Sequence, residues 1–178
     1  MIRLFAAIAI PAQAAEALSL IQGGVEGARW RPLETLHITL RFFGAVSEPV
    51  AEDLASELER AVMPPFEVSL AGAGAFGEAD RIRAIWAGVQ TSEPLARLAA
   101  RCESAARRAG LEPETRNYAP HVTVAYLRRP DPADVAAWIA ANNLFKAEPF
   151  QVQRFGLYSS WPGELGSRYE LERLYRLV

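Results

Sequence analysis

Both histidines of this chain lie in the same four-residue pattern, His-x-Thr-aliphatic. The pattern reads HITL from His37 and HVTV from His121. Threonine is scarce, with five in 178 residues, so a threonine two positions after each histidine is hard to explain by chance. A single strand histidine is usually a structural residue bonded to a neighbour. A matched pair instead indicates a functional site.

Two histidines with threonines beside them suit displacement at phosphorus. In-line displacement needs a base for the attacking oxygen and an acid for the leaving oxygen, on opposite sides of the phosphorus. An unperturbed imidazole pKa of about 6.5 lets one ring be neutral and the other protonated near neutral pH. The pattern predicts His37 and His121 as the acid/base pair. Thr39 and Thr123 are predicted to bind the phosphate, because their hydroxyls can donate to its non-bridging oxygens.

Other kinds of catalytic centre fit the sequence less well. Catalytic zinc usually has three protein ligands, and no Asp or Glu lies in either His-Thr segment. No Gly-x-Ser-x-Gly sequence is present. Cys102 belongs to a stripe of apolar residues at helical spacing, which predicts burial in the core. We therefore expect no metal and no cofactor.

The two motifs are predicted to lie on β-strands. Residues i and i+2 of a strand project from the same face, so each histidine shares a face with its threonine. Continued alternation from Thr39 puts Arg41 and Phe43 on that face. We predict Arg41, Phe43 and Tyr126 as possible substrate contacts, with Phe43 preferred for stacking on a base. Further aromatic candidates, any of which could instead be core, are Trp30, Tyr118 and Tyr158.

Strands and helices alternate along the whole chain. The predicted strands are 2–10, 36–43, 66–73, 81–89, 121–127, 150–158 and 168–177. The predicted helices are 12–22, 47–62, 92–109 and 131–142. Gly44 is interpreted as the end of the second strand.

The second half of the chain repeats the first at a constant offset of 84 residues. The matching positions are His37/His121, Thr39/Thr123, Pro65/Pro149, Phe66/Phe150, Val68/Val152 and Gly72/Gly156. Self-similarity of this kind indicates duplication, with two lobes related by an approximate two-fold axis. We expect one domain, 1–178, built from intertwined repeats of roughly 2–89 and 82–178. Chance similarity between two strand–helix–strand units is the alternative.

Composition limits the partners and the compartment. A hydrophobic content of 51% and a charged content of 22% are typical of globular domains. The net charge of −2 argues against coating nucleic acid but allows binding of a short RNA end or a small cyclic nucleotide. The single cysteine makes a reducing cytoplasm the expected location. We expect a monomer that does not contact a membrane.

Three stretches of the chain carry a family resemblance. They are LHITLRFFG (36–44), YAPHVTVAYL (118–127) and the closing LYSSWPGELGSRYELERLYRL (157–177). The doubled motif resembles that of the two-histidine (2H) phosphoesterase superfamily. Within it, the chain looks like the bacterial RNA 2′,3′-cyclic phosphodiesterases, historically called 2′-5′ RNA ligases. The resemblance implies an α+β fold of two lobes, in which antiparallel sheets flanked by helices surround a central cleft with pseudo-two-fold symmetry.

The resemblance also implies a reaction. It is the metal-independent hydrolysis of RNA 2′,3′-cyclic phosphate ends to 2′-phosphomonoesters. Reversible 2′-5′ RNA ligation by the same pair is also implied, with the histidine roles exchanged between its two directions. His37 would be the proton donor to the leaving 3′ oxygen, and His121 the proton acceptor acting on water. A cyclic phosphodiesterase of small nucleotides, of the ADP-ribose cyclic phosphate type, and a non-catalytic RNA-end binding module remain alternatives.

One position departs from the family pattern. Many relatives have an arginine where this chain has Tyr126, so either the phosphate affinity or the substrate differs from theirs, or another arginine compensates for the lost charge. Arg41, Arg128 and Arg129 are the candidates that lie near the motifs.

Overall fold

The computed structural model describes residues 1–164 and 166–178, which form ten β-strands and four α-helices. The strands are β1 Ile2–Ala9, β2 Arg29–Trp30, β3 His37–Val46, β4 Phe66–Val68, β5 Leu70–Phe76, β6 Ala84–Val89, β7 His121–Tyr126, β8 Phe150–Val152, β9 Arg154–Trp161 and β10 Arg168–Arg176. The helices are α1 Ala12–Ser19, α2 Glu48–Glu57, α3 Glu93–Arg108 and α4 Pro132–Asn142. Short 3-10 turns span Leu33–Thr35, Leu58–Ala61 and Ala79–Arg81. Each predicted strand and helix has an observed counterpart. The predicted strands 66–73 and 150–158 each divide into two.

Local sequence explains where the helices begin. Prolines occupy the first or second position of α2, α3 and α4, where a missing N–H costs nothing. The Ser92 hydroxyl accepts a hydrogen bond from the Leu95 amide, and Asp131 caps α4 through the Ala133 amide. Ser47 precedes α2, but its side chain makes no capping hydrogen bond.

The strands form three antiparallel sheets that interleave the two halves of the chain. Their orders are β10-β9-β1-β3, β2-β7-β6-β5 and the two-stranded β4-β8. The last strand of the first half, β5, pairs with β6, and β9 of the second half pairs with β1. The observed α+β fold confirms the fold class predicted from the sequence.

The spacing of 84 residues recurs in the observed elements. Strands β3 and β7, helices α2 and α4, strands β4 and β8, and strands β5 and β9 begin 84 positions apart. In the β4-β8 ladder Glu67 pairs with Gln151, its own equivalent at that spacing. A ladder that pairs a residue with its own equivalent lies on the pseudo-two-fold axis. This regularity supports the duplication hypothesis.

Strand β3 breaks the expected alternation and corrects the prediction for Phe43. Its pairing with β1 slips twice, which leaves Leu40 and Phe43 as extra residues. One extra residue moves the following side chains to the opposite face. Phe43 is therefore in the core, 8% exposed, whereas Phe42 is 39% exposed. Gly44 does not end the strand; its φ of +76° lies at the second slip, a conformation that favours glycine.

Helix α3 packs against β3, the strand of the first histidine. Its buried face includes Leu95, Leu98 and Cys102, all fully buried, which confirms the assignment of Cys102 to the core. The same helix brings Glu103 to Arg41 of β3, with which it forms an ion pair. Among the described helices, none combines the length and apolar character needed to span a membrane.

Candidate active site

The two histidines occupy equivalent places at the start of β3 and of β7, two strands that contact each other. His37 lines a cavity of about 370 Å³, and His121 lines a cavity of about 580 Å³. Thr39 and Phe42 line both cavities, so the two adjoin along β3. The histidines therefore face adjoining parts of one cleft, which we name the two-histidine cleft.

Each imidazole is held by the carbonyl two residues before it. His37 Nδ1 lies 2.8 Å from the Thr35 carbonyl oxygen, and His121 Nδ1 lies 2.8 Å from that of Ala119. A carbonyl oxygen can only accept, so Nδ1 must carry the proton in both rings. Nε2 is then the free acceptor when the ring is neutral and a second donor when it is protonated. The backbone gives both histidines the same tautomer.

Aromatic rings enclose both imidazoles. Phe5 and Tyr169 flank His37 with centroids at 5.1 and 5.3 Å. Phe76 lies edge-on to His121 at 4.6 Å, with Trp86 at 6.2 Å. Burial against these rings lowers the pKa of both histidines below 6.5, because removal from water penalises the charged form.

The two halves of the cleft differ in their electrostatics. The carbonyl hydrogen bonds of Thr35 and Ala119 partly offset the effect of burial on the two histidine pKa values. Arg31 and, more weakly, His121 add positive potential that lowers the pKa of His37 further. We therefore expect both rings to be neutral at pH 7 in the ligand-free protein.

The two predicted phosphate-binding threonines have different surroundings. Thr39 lies at the junction of the two cavities. Thr123 is half-buried two residues after His121, opposite Trp86 on β6, and the residues lining these two cavities do not include it. The indole N–H of Trp86 is buried without a hydrogen-bond partner in the described chain.

Arg41 lines the larger cavity, but carboxylates already engage its charge. Its Nε donates to Glu103 Oε2 at 2.5 Å, and Nη1 lies 3.8 Å from Glu114 Oε2. Nη2 donates to the Glu112 carbonyl at 2.9 Å. An arginine held by two carboxylates contributes little net positive potential to a phosphate.

Tyr126 lies in the His37 half of the cleft, where it forms part of the wall with Tyr169. The Arg31 guanidinium packs on both rings, 5.3 Å from the centroid of Tyr126 and 5.6 Å from that of Tyr169. Arg128 and Arg129 lie in the exposed turn after β7, and neither belongs to the lining of the two cavities.

The other aromatic candidates differ in how they relate to the cleft. Tyr118 lines the larger cavity and donates from its hydroxyl to the Thr39 carbonyl at 2.9 Å. Trp30 packs towards Trp138, and Tyr158 stacks on Phe5. Tyr118 is therefore the better placed of these three to meet a ligand.

Sequence reasoning missed several cleft residues. Phe42 and Phe76 line the larger cavity, and Arg3 at the rim of the smaller one lies over Phe42 at 5.5 Å. A glycine inside a strand pattern often marks a bulge, so Gly44 was the available signal for Phe42. Arg3 and Phe76 lie far from both motifs in sequence, and no local pattern marks them.

The described residues contain no group of three or more His, Cys, Asp or Glu side chains arranged to hold a metal ion. The arrangement instead consists of two histidines, one from each half of a duplicated fold, beside one cleft. This is the architecture that defines two-histidine phosphoesterases.

Comparison with known proteins agrees with this architecture. The model of the 2′-5′ RNA ligase superfamily matches residues 8–162. The chain is similar to the RNA 2′,3′-cyclic phosphodiesterase of Archaeoglobus fulgidus, 31% identical over 151 residues that cover 82% of this chain and 85% of that protein. It is 40% identical to the Aeropyrum pernix protein of the same name over 96 residues, 53% of this chain and 54% of that protein.

Among solved structures, the chain is similar to E. coli LigT complexed with 3′-AMP. The TM-score is 0.79 at 28% identity, covering 99% of this chain and 98% of that one. The chain belongs to the 2′-5′ RNA ligase superfamily. This membership confirms the family resemblance seen in the sequence.

Proposed function

We propose that this protein is an RNA 2′,3′-cyclic phosphodiesterase that uses His37 and His121 as a metal-independent acid/base pair. The observation that carries the proposal is that both imidazole rings have the same tautomer and equivalent positions in the cleft. Each bonds a carbonyl through Nδ1, and each belongs to one of two adjoining cavities that meet at Thr39. The activity itself is the one in the names of the relatives from Archaeoglobus fulgidus and Aeropyrum pernix.

The reaction needs a proton to leave on one side of the phosphorus and to arrive on the other. In the proposed mechanism Nε2 of neutral His121 takes a proton from water as the water oxygen attacks phosphorus. The P–O3′ bond breaks, and Nε2–H of protonated His37 gives its proton to the 3′ oxygen. A 2′-phosphomonoester and a 3′-hydroxyl result, and proton transfer through solvent restores both rings.

Substrate binding supplies the protonation state that the mechanism requires. Burial keeps the pKa of both histidines low in the free protein, so neither ring readily holds the proton that the acid must donate. The cyclic phosphate carries one negative charge, and an anion beside an imidazole raises the pKa of that imidazole. Binding of the substrate therefore favours protonation of one ring of the pair.

Thr39 and the aromatic rings give the cleft its further binding groups. The Thr39 hydroxyl is available at the cavity junction to donate to a non-bridging oxygen, and we assign the same task to Thr123 in the second motif. Phe42, Phe76 and Tyr118 offer faces on which a terminal base can stack. A cavity of about 580 Å³ is large enough for a nucleoside.

The direct test uses an oligonucleotide with a 2′,3′-cyclic phosphate end, incubated with protein and EDTA. We expect a 2′-phosphate product, and a loss of about 10²- to 10⁴-fold in kcat for His37→Gln and for His121→Gln. Arg60→Gln is the control, since Arg60 is exposed and lines neither cavity, and its activity should persist. Abolition by EDTA, or full activity in both histidine variants, refutes the mechanism.

Two further measurements separate the alternatives. Faster turnover of a cyclic mononucleotide than of the oligonucleotide would assign the protein to small-nucleotide hydrolysis. Binding of the cyclic end that survives both histidine substitutions, with no product, would identify a non-catalytic module. A bell-shaped profile of kcat/KM against pH, with limbs belonging to the pair jointly, is expected for the catalyst.

The same pair accounts for ligation as a parallel reaction of the same cyclic phosphate. A 5′-hydroxyl RNA end in place of water would attack phosphorus as the P–O3′ bond breaks, forming a 2′-5′ bond with the proton roles unchanged; cleavage of that bond, the reverse step, would exchange the roles. The test supplies a 5′-hydroxyl oligonucleotide in excess over the cyclic end. A joined product that disappears in His37→Gln supports ligation by the same pair, and its absence at saturating acceptor limits the enzyme to hydrolysis.

A further inference from the structure

Arg31 lies behind the wall of the His37 half of the cleft. It follows β2, where its amide donates to the Val124 carbonyl at 2.9 Å, and its residue surface is only 6% exposed. Its guanidinium faces the rings of Tyr126 and Tyr169, and Nη2 donates to the Ser167 carbonyl at 3.3 Å. All three of these partners line the cavity of His37.

No carboxylate of the described residues neutralises this buried cation. Each ion pair of the described chain joins other side chains, and Arg31 has no Asp or Glu oxygen within 4.0 Å. Burying an uncompensated charge lowers the free energy of unfolding, so a protein that keeps such a charge is expected to use it for function. Arg41, by contrast, is engaged by Glu103 and Glu114.

The Gly166 backbone lies close to the guanidinium. Gly166 has a φ of +109°, which itself favours glycine, and a Cβ at that position would lie 2.8 Å from Arg31 Nη1. A side chain there would require the end of the Arg31 side chain to shift. The charge of Arg31 also reaches the cleft, since it acts against protonation of His37 and favours ionisation of Tyr169.

We propose that Arg31 is the positioning residue that attracts the substrate phosphate into the His37 cavity, acting through the wall formed by Tyr126 and Tyr169. This proposal rests on the function proposed above and deepens it. In this chain the positive charge comes from Arg31, the residue that follows β2, and position 126 is a tyrosine. Arg41 lines the cavity of His121 with its charge engaged, so it does not replace Arg31.

Inorganic phosphate is the probe, because its binding can be measured without turnover. The chain has only two histidines, so its imidazole Hε1 protons give two NMR resonances, which His37→Gln and His121→Gln assign. Phosphate titration of these resonances is expected to show about tenfold or greater weakening for Arg31→Gln, since a nearby charge at an effective dielectric of about 20 contributes at least that factor. Arg60→Gln, which removes an exposed charge, is the matched control and should bind as the parent does.

The decisive variant restores a positive charge at position 126, on the other side of the wall. Arg31→Gln/Tyr126→Arg should recover most of the lost phosphate affinity if charge in this cavity is what matters. A purely structural Arg31 predicts a lower melting temperature for Arg31→Gln, whereas an uncompensated buried cation predicts an unchanged or higher one. Phosphate affinity equal to the parent in Arg31→Gln, or an equal loss in Arg60→Gln, overturns the proposal.

The pH titration of His37 gives a second readout. Removing Arg31 should raise the pKa of His37 and leave that of His121 closer to the parent. If Arg31→Gln unfolds, Arg31→Lys and Arg31→Met are compared instead. Tighter phosphate binding by the lysine variant supports the proposal, and equal binding refutes it. Loss of phosphate binding in Arg31→Gln without any hydrolysis by the parent would overturn the proposed function alone.

Discussion

Phe42 and Phe43 are neighbours in strand β3, and truncating each to alanine is expected to have opposite consequences. Phe43 is 8% exposed and belongs to the hydrophobic core. Phe42 is 39% exposed, lies in both cavities and supports the guanidinium of Arg3. The difference comes from the slipped β1-β3 pairing, in which Leu40 is an extra residue ahead of Phe42 and Phe43, so the two variants test that geometry.

The expected magnitudes follow from these environments. Removing a buried phenylalanine ring from a packed core costs about 3–5 kcal/mol of the free energy of unfolding. Removing the Phe42 ring, which is partly exposed, should lower the free energy of unfolding by only about 1 kcal/mol. Loss of one base–aromatic stack costs about 1–3 kcal/mol of binding, or roughly 5- to 150-fold in KM. Phe43→Ala should leave KM unchanged while it remains folded.

Urea unfolding and steady-state kinetics on the same preparations check this prediction. The oligonucleotide with a 2′,3′-cyclic phosphate end is the substrate, assayed well below the unfolding midpoint of Phe43→Ala. A raised KM in a folded Phe43→Ala, together with an unchanged KM in Phe42→Ala, would refute the bulged arrangement of β3. It would restore the regular alternation that the sequence suggested.

Three other outcomes are expected. Ser92→Ala should lower the free energy of unfolding by about 1 kcal/mol because its hydroxyl caps α3, whereas Ser47→Ala, whose side chain makes no such bond, should be nearly neutral by urea unfolding. Cys102 should react with an aromatic disulfide reagent only on unfolding, because burial raises the pKa of its thiol; rapid reaction of the native protein would contradict its position. The lowered pKa values of His37 and His121 mean that the unfolded chain binds protons more readily. Their contribution to stability is therefore complete above a pH of about 6.5 and falls as the pH drops below that, and a His37→Gln/His121→Gln variant should show a smaller fall between pH 6.5 and 5 in thermal unfolding.

Local signals were sufficient for much of the fold. Strand alternation and helix-start residues predict elements close to those observed, such as α4, which begins at Pro132 after the Asp131 cap. These signals depend on neighbours in sequence, which is why they can be read without the tertiary structure. The offset of 84 residues likewise anticipates the equivalent starts of β3 and β7.

Local sequence signals predict the candidate site only in part. The equivalence of His37 and His121 follows from a repeated motif, but the carbonyls that select their common tautomer appear only in the structure. Whether an arginine is free or neutralised depends on residues distant in sequence. Arg41 meets Glu103, 62 positions away, whereas Arg31 meets the rings of Tyr126 and Tyr169.

The sequence by itself determined the chemical groups, the histidine and threonine on each of two strands, because side-chain type and two-residue spacing are local properties. The tertiary structure alone decided which of Phe42 and Phe43 faces the cleft and which arginine is buried beside the His37 cavity without a carboxylate partner among the described residues. A slipped strand pairing and a buried, unpaired charge both depend on partners brought together by folding, and no window of the sequence contains them.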